Sequence, residues 1–398
     1  MSDQAIEADP YSALAARTDS SERGPKALQA GEMPAPTGVS VIVCCYNSAS
    51  RLPATLAHLA SQRCEGRFPW EVILVDNAST DGTGRIAQEL WPQDAPVHLR
   101  VVHEARLGLA YARQRGISAA RYELLSFVDD DNWVCPNWVQ LVWELMSQHP
   151  EVGACGGFCL AECELPPPEW FQSFSGMYAV WPREAEPEDV THTHLLCGAG
   201  LTVQKSALME LEKNGFRTWC VGRQGTALTG CEDTELCLAL SLAGWRLWYE
   251  PRLRLRHFIP AKRLEWSYLR RHYRGAGLSS PALDAYWCAR KRKRTGVTRL
   301  LRRVRESWCW QLLSMLGKLG TQPLKLASSL RSPMEGDADV LHLEYQIGQC
   351  LGLLEMRRQY DARIREVRSL FEQSRWSRRN GRPGIHELVL GTERSSTE

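Results

Sequence analysis

The sequence predicts an α/β domain built on a mostly parallel sheet, because short apolar runs alternate with stretches of helical periodicity. Four runs rich in β-branched residues, at 38–47, 70–80, 97–104 and 123–131, are apolar enough to form strands buried on both faces. The chain has 398 residues, 44% of them hydrophobic and 24% charged, which suffices for one such domain and a smaller addition.

Helical stretches separate the predicted strands. After the first strand, Leu52, Leu56 and Leu59 recur at helical spacing, and helices over 83–90 and 107–120 follow the second and third strands. A fourth helix follows the last strand, with an apolar face formed by Val139, Val142, Trp143 and Met146. This alternation predicts a sheet flanked by helices.

Polar side chains collect where the predicted strands end. Tyr46 and Asn47 follow the first strand, Asp76 follows the second, and Asp129–Asp131 follow the fourth. In parallel sheets, ligands bind beyond the carboxyl ends of the strands, so these residues are expected to border one site. The sequence has no G-x-G-x-x-G after a strand and no G-x-x-x-x-G-K-[ST], which argues against a dinucleotide site and a P-loop.

Three adjacent carboxylates at Asp129–Asp131 repel one another unless a cation lies between them. Mg²⁺ or Mn²⁺ takes oxygen ligands, and typically binds one or two carboxylates together with substrate phosphates. The alternative is a solvated acidic turn before the next helix. The position of the cluster, at the end of an apolar strand and beside a second acidic turn, favours the cation.

Three motifs occur in the order of a known family: VDNASTDGT at 75–83, DDD at 129–131, and GCEDTELCLALSLAGWRLWYEP at 230–251. Together they resemble the inverting GT-A glycosyltransferases of family two. Further stretches at 39–62, 107–117 and 198–208 look like the same family, so the resemblance covers about residues 38–260. It implies a GT-A nucleotide-diphospho-sugar transferase fold, a Rossmann-like, mostly parallel sheet flanked by helices, with a C-terminal helical appendage in this chain.

The activity implied by the resemblance is transfer of a sugar from a nucleotide-diphosphate sugar to a hydroxyl group, with inversion and with Mg²⁺ or Mn²⁺. A UDP-sugar is favoured, since Asp76 matches the acidic residue that meets the nucleotide base, and a carboxylate there can accept the uracil imide N–H. An Asx-turn that ends the strand is the alternative role for Asp76. The expected acceptor is a glycan or lipid-linked glycan in polysaccharide biosynthesis.

The remaining donor and metal residues are also implied by the resemblance. Asp129 is expected on the ribose and metal side, and Asp131 as a direct metal ligand. Asp130 is grouped with the donor side, although the middle carboxylate is also the expected bystander. Arg113 matches a position where a cation lies near the nucleotide, but Gln114 replaces the asparagine usually found next to it. Tyr46 and Asn47 complete the donor side, and His257 matches a histidine that reaches the metal or diphosphate.

The catalytic base is expected at the start of the helix in CEDTEL. A single displacement needs one carboxylate to take the acceptor proton, and Asp233 matches the family's base, with Glu232 beside it. The alternative is that both acids merely complement the positive end of the helix dipole. Trp219 and Trp245 are either sugar-stacking residues or, more commonly for aromatics near such motifs, core residues.

Two rival functions remain open at this stage: a sugar nucleotidyltransferase and a non-catalytic nucleotide or sugar binder on the same fold. A sugar nucleotidyltransferase would usually have a glycine- and Lys/Arg-rich loop after the first strand, and CCYNSASR is not such a loop. A non-catalytic binder would be free to lose Asp129, Asp131 and Asp233, so the presence of all three argues against that function. A zinc site from Cys155, Cys159, Cys163, His192 and His194 is a further alternative. The C-x3-C-x3-C spacing favours a glycine-containing strand in which the cysteines fill space.

The expected domain boundaries are a disordered tail at 1–37, the catalytic domain at 38–284, a basic and amphipathic helical region at 285–375, and a flexible tail at 376–398. From Arg290 to Arg305 the chain has nine Lys/Arg residues and no acid. The segment that follows carries Trp308 and Trp310, a combination typical of a helix on an anionic membrane surface.

The alternative to membrane binding is that this basic helix packs on the catalytic domain with its arginines in water. The final stretch, 339–367, is predicted as one long helix that packs against the basic helix and offers a surface for a homodimer. Nucleic acid is not an expected partner. The fourteen cysteines are predicted to be buried in a reducing compartment without a disulfide framework, which favours a cytoplasmic protein, soluble or peripheral on the inner face of the cell membrane.

Overall fold

The computed structural model of the protein describes residues 37–65, 68–183, 185–220, 228–290, 303–320 and 334–372. The predicted tails, apart from Thr37, and most of the basic run, at 291–302, lie outside these residues. Among the helices described, none is both long and apolar enough to cross a membrane.

In the described part of the chain, nine strands form a single sheet, and the four strands predicted from the sequence are all present. The strands are β1 (Val39–Cys45), β2 (Trp70–Asn77), β3 (Leu99–Glu104), β4 (Leu124–Phe127), β5 (Asn132–Val134), β6 (Val152–Cys163), β7 (Glu188–Asp189), β8 (Thr202–Gln204) and β9 (Arg246–Ile259). Their order is β3–β2–β1–β4–β8–β6–β9–β5, with β7 paired to β9. Six strands run in one direction, whereas β5, β7 and β8 run against them. The prediction of a mostly parallel α/β sheet is therefore confirmed.

Helices follow the strands in the predicted alternation. They are α1 (Leu52–Ala60), α2 (Thr83–Leu90), α3 (Leu109–Ala119), α4 (Trp138–Gln148), α5 (Lys205–Lys213), α6 (Glu232–Leu242), α7 (Trp266–Ser279), α8 (Asp284–Arg290), α9 (Trp308–Gly320), α10 (Ala338–Met356) and α11 (Tyr360–Glu372). Short 3-10 turns cover Gln172–Tyr178, Ala261–Leu264 and Ser280–Leu283.

Alternate side chains of the central strands enter two cores, one on each face of the sheet. In β1, Val41 and Val43 pack with α1 and α4, whereas Ile42 faces the core that contains α3 and α6. Helix α3 lies so close to β1 that a Cβ atom on Gly116 would stand 2.4 Å from Ile42 Cγ2. Burial on both faces explains why these strands are uninterrupted apolar runs.

The C-terminal helices differ from the prediction in two respects. The expected single helix at 339–367 is two helices, α10 and α11, with a break between Met356 and Tyr360. Helix α10 packs along α7 as well as against α9. At that contact, Cβ atoms on Gly277 and Gly348 would lie 2.1 Å from main-chain oxygens of the facing helix. The absence of side chains there lets the two backbones approach, so α10 is part of the main body of the fold.

Candidate active site

A cleft of about 550 Å³ lies at the carboxyl ends of β1 and β4 and the amino end of α6. Most of the residues singled out in the sequence line it: Tyr46, Arg113, Asp129, Asp130, Asp131, Glu232, Asp233 and His257. The fold thus brings together carboxylates that are about one hundred residues apart in the chain. Asn47 and Asp76 are not among the lining residues, whereas Asn77 is.

Asp131 is paired with two basic side chains, His257 and Arg263. Because β5 pairs with β9 with Asn132 opposite His257, the imidazole is held beside Asp131, with Nε2 3.5 Å from Oδ1. Arg263, on the turn after β9, donates to Asp131 Oδ2 at 3.1 Å. Burial alone would raise the pKa of Asp131, but His257 and Arg263 together hold it below the usual range.

Asp129 has the opposite electrostatic environment. Within the residues that the structure describes, no hydrogen bond reaches its carboxylate, which lies in the cleft near Arg113. Burial, followed by repulsion from Asp131, raises the pKa of Asp129 to about 6. A carboxylate in this position is stabilised by any cation that enters the cleft.

Asp130 has a structural role that fits the expected bystander. Arg51, just before α1, donates to both of its oxygens, from Nε at 2.9 Å and from Nη2 at 2.6 Å. The Ser48 hydroxyl also donates to Asp130, and the Asp130 main-chain oxygen accepts from Thr55 Oγ1. These bonds fix the acidic turn to the start of α1 and leave Asp129 and Asp131 to face the cleft.

The turn after β2 is closed by local hydrogen bonds. Asp76 Oδ1 accepts from the main-chain N–H of Ser79 at 3.2 Å, as in an Asx-turn, and Asp76 Oδ2 lies 3.4 Å from His103 Nδ1. Asn47, with a left-handed φ of 48°, accepts from the main-chain N–H of Thr80 through Oδ1. Asn77 reaches the cleft instead, where its Oδ1 accepts from the Gly108 N–H.

Glu232 and Asp233 open helix α6, as predicted, and face Arg113. Glu232 Oε1 lies 3.5 Å from Arg113 Nη1. Burial, followed by repulsion from Glu232, raises the pKa of Asp233, while Arg113 opposes this shift. A Cβ atom on Gly198 would stand 2.6 Å from Asp233 Oδ2, so only glycine leaves room for this carboxylate. Asp233 therefore has a raised proton affinity suited to a base.

Glu235, which the sequence reasoning did not single out, holds this end of α6 in place. Its buried carboxylate accepts from Thr218 Oγ1 at 2.6 Å, from the Cys220 N–H at 3.0 Å and from the Tyr286 hydroxyl at 2.7 Å. Arg363 Nη2 completes the set at 3.2 Å. The only local signal was a third acid in the first turn, and nothing near Glu235 in sequence points to Arg363.

One pair of cysteines corrects the expectation for this residue type. Cys220 and Cys231 form a disulfide, and Cys231 immediately precedes α6. The other twelve cysteines form no disulfide. Cys155 and Cys159 are buried in β6, which confirms the space-filling strand.

The two tryptophans considered for sugar stacking lie outside the cleft lining. Trp245 is buried in the core that contains α6. The Arg363 guanidinium lies over the Trp219 ring, 4.5 Å from its centre. These positions assign both rings to packing.

The groups around Asp131 include two that could hold a divalent cation, its own carboxylate and the His257 imidazole. His257 Nδ1 lies 2.7 Å from the main-chain oxygen of Tyr178, so this nitrogen carries a proton, and Nε2 is the ring nitrogen on the side of Asp131. Nε2 and Asp131 Oδ2 both approach the Arg263 guanidinium, at 3.4 Å and 3.1 Å. Two acceptors that converge on a positive group fit a cation.

No cluster of three or more His, Cys, Asp or Glu side chains in the described ranges is arranged to hold a metal. One carboxylate and one imidazole nitrogen would need substrate phosphates to complete the coordination of a cation, as phosphates do at many Mg²⁺ sites.

A mostly parallel α/β sheet whose carboxyl edge carries an acidic cleft, with a second acidic pair at a facing helix start, defines a GT-A-type domain. Residues 40–211 match the model of the family described as "Glycosyl transferase family 2", so this part of the chain is similar to that family. The family resemblance noted in the sequence is confirmed.

Individual proteins are similar over parts of the chain. Glucosyl-dolichyl phosphate glucuronosyltransferase of Haloferax volcanii is 23% identical over 235 residues, which cover 58% of this chain and 72% of that relative. The putative glycosyltransferase EpsH of Bacillus subtilis is 30% identical over 117 residues, 29% of this chain and 33% of the relative. A solved structure of S. aureus TarS 1–349 in complex with UDP-GlcNAc gives a TM-score of 0.45 at 15% identity, over 84% of this chain and 91% of that one.

The match spans only about a third of the length of several of these curated relatives. The activity of the whole protein is therefore a matter for proposal.

Proposed function

We propose that the protein is a metal-dependent, inverting glycosyltransferase that moves a sugar from a nucleotide-diphosphate sugar to a hydroxyl group. The observation that carries this proposal is the convergence of two acidic groups on one cleft, Asp129 and Asp131 on one side and Asp233 on the other, with Arg113 between them. The match of residues 40–211 to the family model supports the reaction class.

Mg²⁺ or Mn²⁺ would be held by Asp131 and His257, with Asp129 on the ribose side, and would neutralise the charge of the leaving diphosphate. The residues of the chain perform the other tasks. Arg113 adds a buried positive charge near the donor, and Asp233 takes the proton of the attacking hydroxyl group. Glu232 raises the proton affinity of Asp233 by repulsion.

The donor is proposed to be a UDP-sugar, with Tyr46 and Asn77 on the donor side of the cleft. Asp76 is proposed to accept the uracil imide N–H, in addition to its hydrogen bond from the Ser79 N–H, and it lies next to Asn77, which lines the cleft. The acceptor is proposed to be a glycan or a lipid-linked glycan in polysaccharide synthesis. The proposed location is the cytoplasm, including the inner face of the cell membrane.

Calorimetry of UDP binding with and without Mn²⁺ tests the donor site. We expect tight binding only with Mn²⁺, and loss of that dependence in Asp131→Asn. Asp94→Asn, which changes an exposed carboxylate away from the cleft, is the matched control. GDP and dTDP in the same experiment test the preference for uracil.

Failure of all three nucleotides to bind in the presence of metal would contradict the proposed donor site. Tight binding without hydrolysis or transfer from a panel of UDP-sugars would favour a non-catalytic binder. Release of pyrophosphate from a nucleoside triphosphate and a sugar 1-phosphate would instead identify a nucleotidyltransferase.

A further inference from the structure

Helix α9 (Trp308–Gly320) has a wider apolar surface than the protein core covers. Trp308, Leu312 and Met315 pack against the core on one side of the helix. Of the outward-facing side chains, Trp310 is 46% exposed, Leu313 is 65% exposed and Leu316 is 49% exposed.

The outward residues form a continuous stripe and are not scattered. At 100° per residue, Trp310, Leu313 and Leu316 fall on adjacent turns of one side, together with Gly317 and Gly320. The polar side chains of α9, Gln311, Ser314 and Lys318, are confined to a narrow strip on the remaining side. A helix that is apolar around most of its circumference, with only part of that surface packed, leaves a large apolar area in contact with water.

Positive charge is concentrated next to this helix in the sequence. Nine Lys/Arg residues and no acid occur from Arg290 to Arg305 in the sequence just before α9. Arg303 and Arg305, at the described end of this run, are exposed, and so is Lys318 in the last turn of α9. Exposed apolar side chains next to a dense positive charge match a surface that offers phosphate groups above hydrocarbon.

We propose that α9 docks on a membrane surface rich in anionic lipids, with the stripe of Trp310, Leu313 and Leu316 entering the headgroup region. Trp310 has an amphipathic ring suited to that depth. The exposed Arg303, Arg305 and Lys318 supply positive charge that attracts the helix to acidic headgroups. No residue of α9 lines the cleft, so this inference does not depend on the proposed transfer reaction.

Co-flotation with vesicles tests the proposal. We expect the full chain to bind vesicles of phosphatidylcholine and phosphatidylglycerol, to bind phosphatidylcholine alone at least tenfold more weakly, and to be released by 0.5 M NaCl. A triple variant, Trp310→Ser with Leu313→Ser and Leu316→Ser, should bind the acidic vesicles at least tenfold more weakly. UDP binding and circular dichroism verify that the variant is folded.

A second triple variant is the matched control, because it removes equally exposed apolar side chains elsewhere: Leu90→Ser, Leu165→Ser and Met334→Ser. It should bind acidic vesicles as the wild type does. Equal loss in both variants, or retention of binding by the α9 variant, would overturn the proposal.

Two other occupants give distinct results. A dimer in light scattering that the α9 variant dissociates, without vesicle binding by the wild type, would assign the stripe to a second copy of the chain. Binding of a DNA or RNA duplex without any vesicle binding would assign the basic run to nucleic acid. Either result would overturn the membrane proposal.

Discussion

Arg363 in α11 donates a hydrogen bond to Glu235 in α6 at 3.2 Å, and both side chains are buried. Glu235 lies two residues after Asp233, the proposed base. The guanidinium also donates to the Tyr286 hydroxyl at 2.6 Å and lies over the Trp219 ring. The last described helix of the chain thus fixes the end of α6 that faces the cleft.

Arg363→Met should lower the free energy of unfolding by about 3–5 kcal/mol, because it leaves the Glu235 carboxylate buried without its positive partner. Urea unfolding measures the change. Arg365→Met, on the exposed side of the same helix, is the control and should change stability by less than about 0.5 kcal/mol. Equal stabilities of the two variants would show that the buried pair is not needed.

Arg263→Gln should tighten binding of Mn²⁺ to the free protein by about tenfold, equivalent to about 1.4 kcal/mol. The reason is that the Arg263 guanidinium donates to Asp131 Oδ2 and lies 3.4 Å from His257 Nε2. It therefore competes with a cation for both groups. Titration followed by electron paramagnetic resonance measures free Mn²⁺ directly. Arg256→Gln, which changes an exposed arginine of β9, should leave the affinity unchanged, and weaker binding in Arg263→Gln would refute the competition.

Asp129→Asn should stabilise the metal-free protein at pH 7.5 and have little effect near pH 4. The folded pKa of Asp129 is about 6, above the value of about 3.9 in an unfolded chain. As the pH rises between these values, the unfolded state loses its proton first, so the folded state is progressively destabilised. The full difference is about 3 kcal/mol, of which we expect the variant to recover about 1–3 kcal/mol.

Urea unfolding in EDTA at both pH values measures the effect of Asp129→Asn, with Asp94→Asn as the control. A variant less stable than the wild type at pH 7.5 would contradict the raised pKa.

Asp233→Asn should lower kcat by about 10²–10⁴-fold while UDP binding with Mn²⁺ is retained, because the amide cannot take the acceptor proton. In the wild type, the rate should rise with pH as Asp233 ionises, at a pH above that of an ordinary aspartate because burial raises its pKa. The variant should lack this rise. A pH profile of kcat measures both effects, and an unchanged profile in Asp233→Asn would assign the base elsewhere.

Replacing Cys220 and Cys231 by serine should lower the free energy of unfolding by about 3 kcal/mol, the loop-closure value for a disulfide between residues 11 positions apart. Dithiothreitol should reduce the stability of the wild type to that of the double variant. Cys309→Ser, which removes an exposed free cysteine, is the control. If the reductant has no effect on the wild type, the disulfide does not contribute.

Local sequence patterns were sufficient for the parallel strands β1–β4, most helices and the acids at the strand ends. Val39–Cys45 is an apolar run because both faces of β1 are covered, and Asp129–Asp131 follows β4 because polar groups are tolerated only where the strand leaves the core. The start of α6 at Glu232 was predictable for a similar reason, since acids are favourable in the first turn of a helix.

Relationships across long sequence separations were not predictable. Arg363 and Glu235 are 128 residues apart, and Arg263 approaches Asp131 across 132 residues. The pairing of Cys220 with Cys231 also depends on the position of α6 and not on any pattern in the two segments. Asp76 has an ordinary turn signature, so its hydrogen bond to Ser79 was foreseen as an alternative, but its contact with His103 was not.

The separation between Glu235 and Arg363 has a consequence during synthesis. A ribosome releases the segment that carries the proposed base well before it releases α11. Until then, the Glu235 carboxylate lacks the Arg363 guanidinium with which it pairs in the folded protein. The sheet and α6 are therefore expected to remain incompletely consolidated in the nascent chain. Translation that stops before Arg363 would give a product exposed to chaperones and proteases, so α11 acts as a check that the polypeptide has been completed through this point.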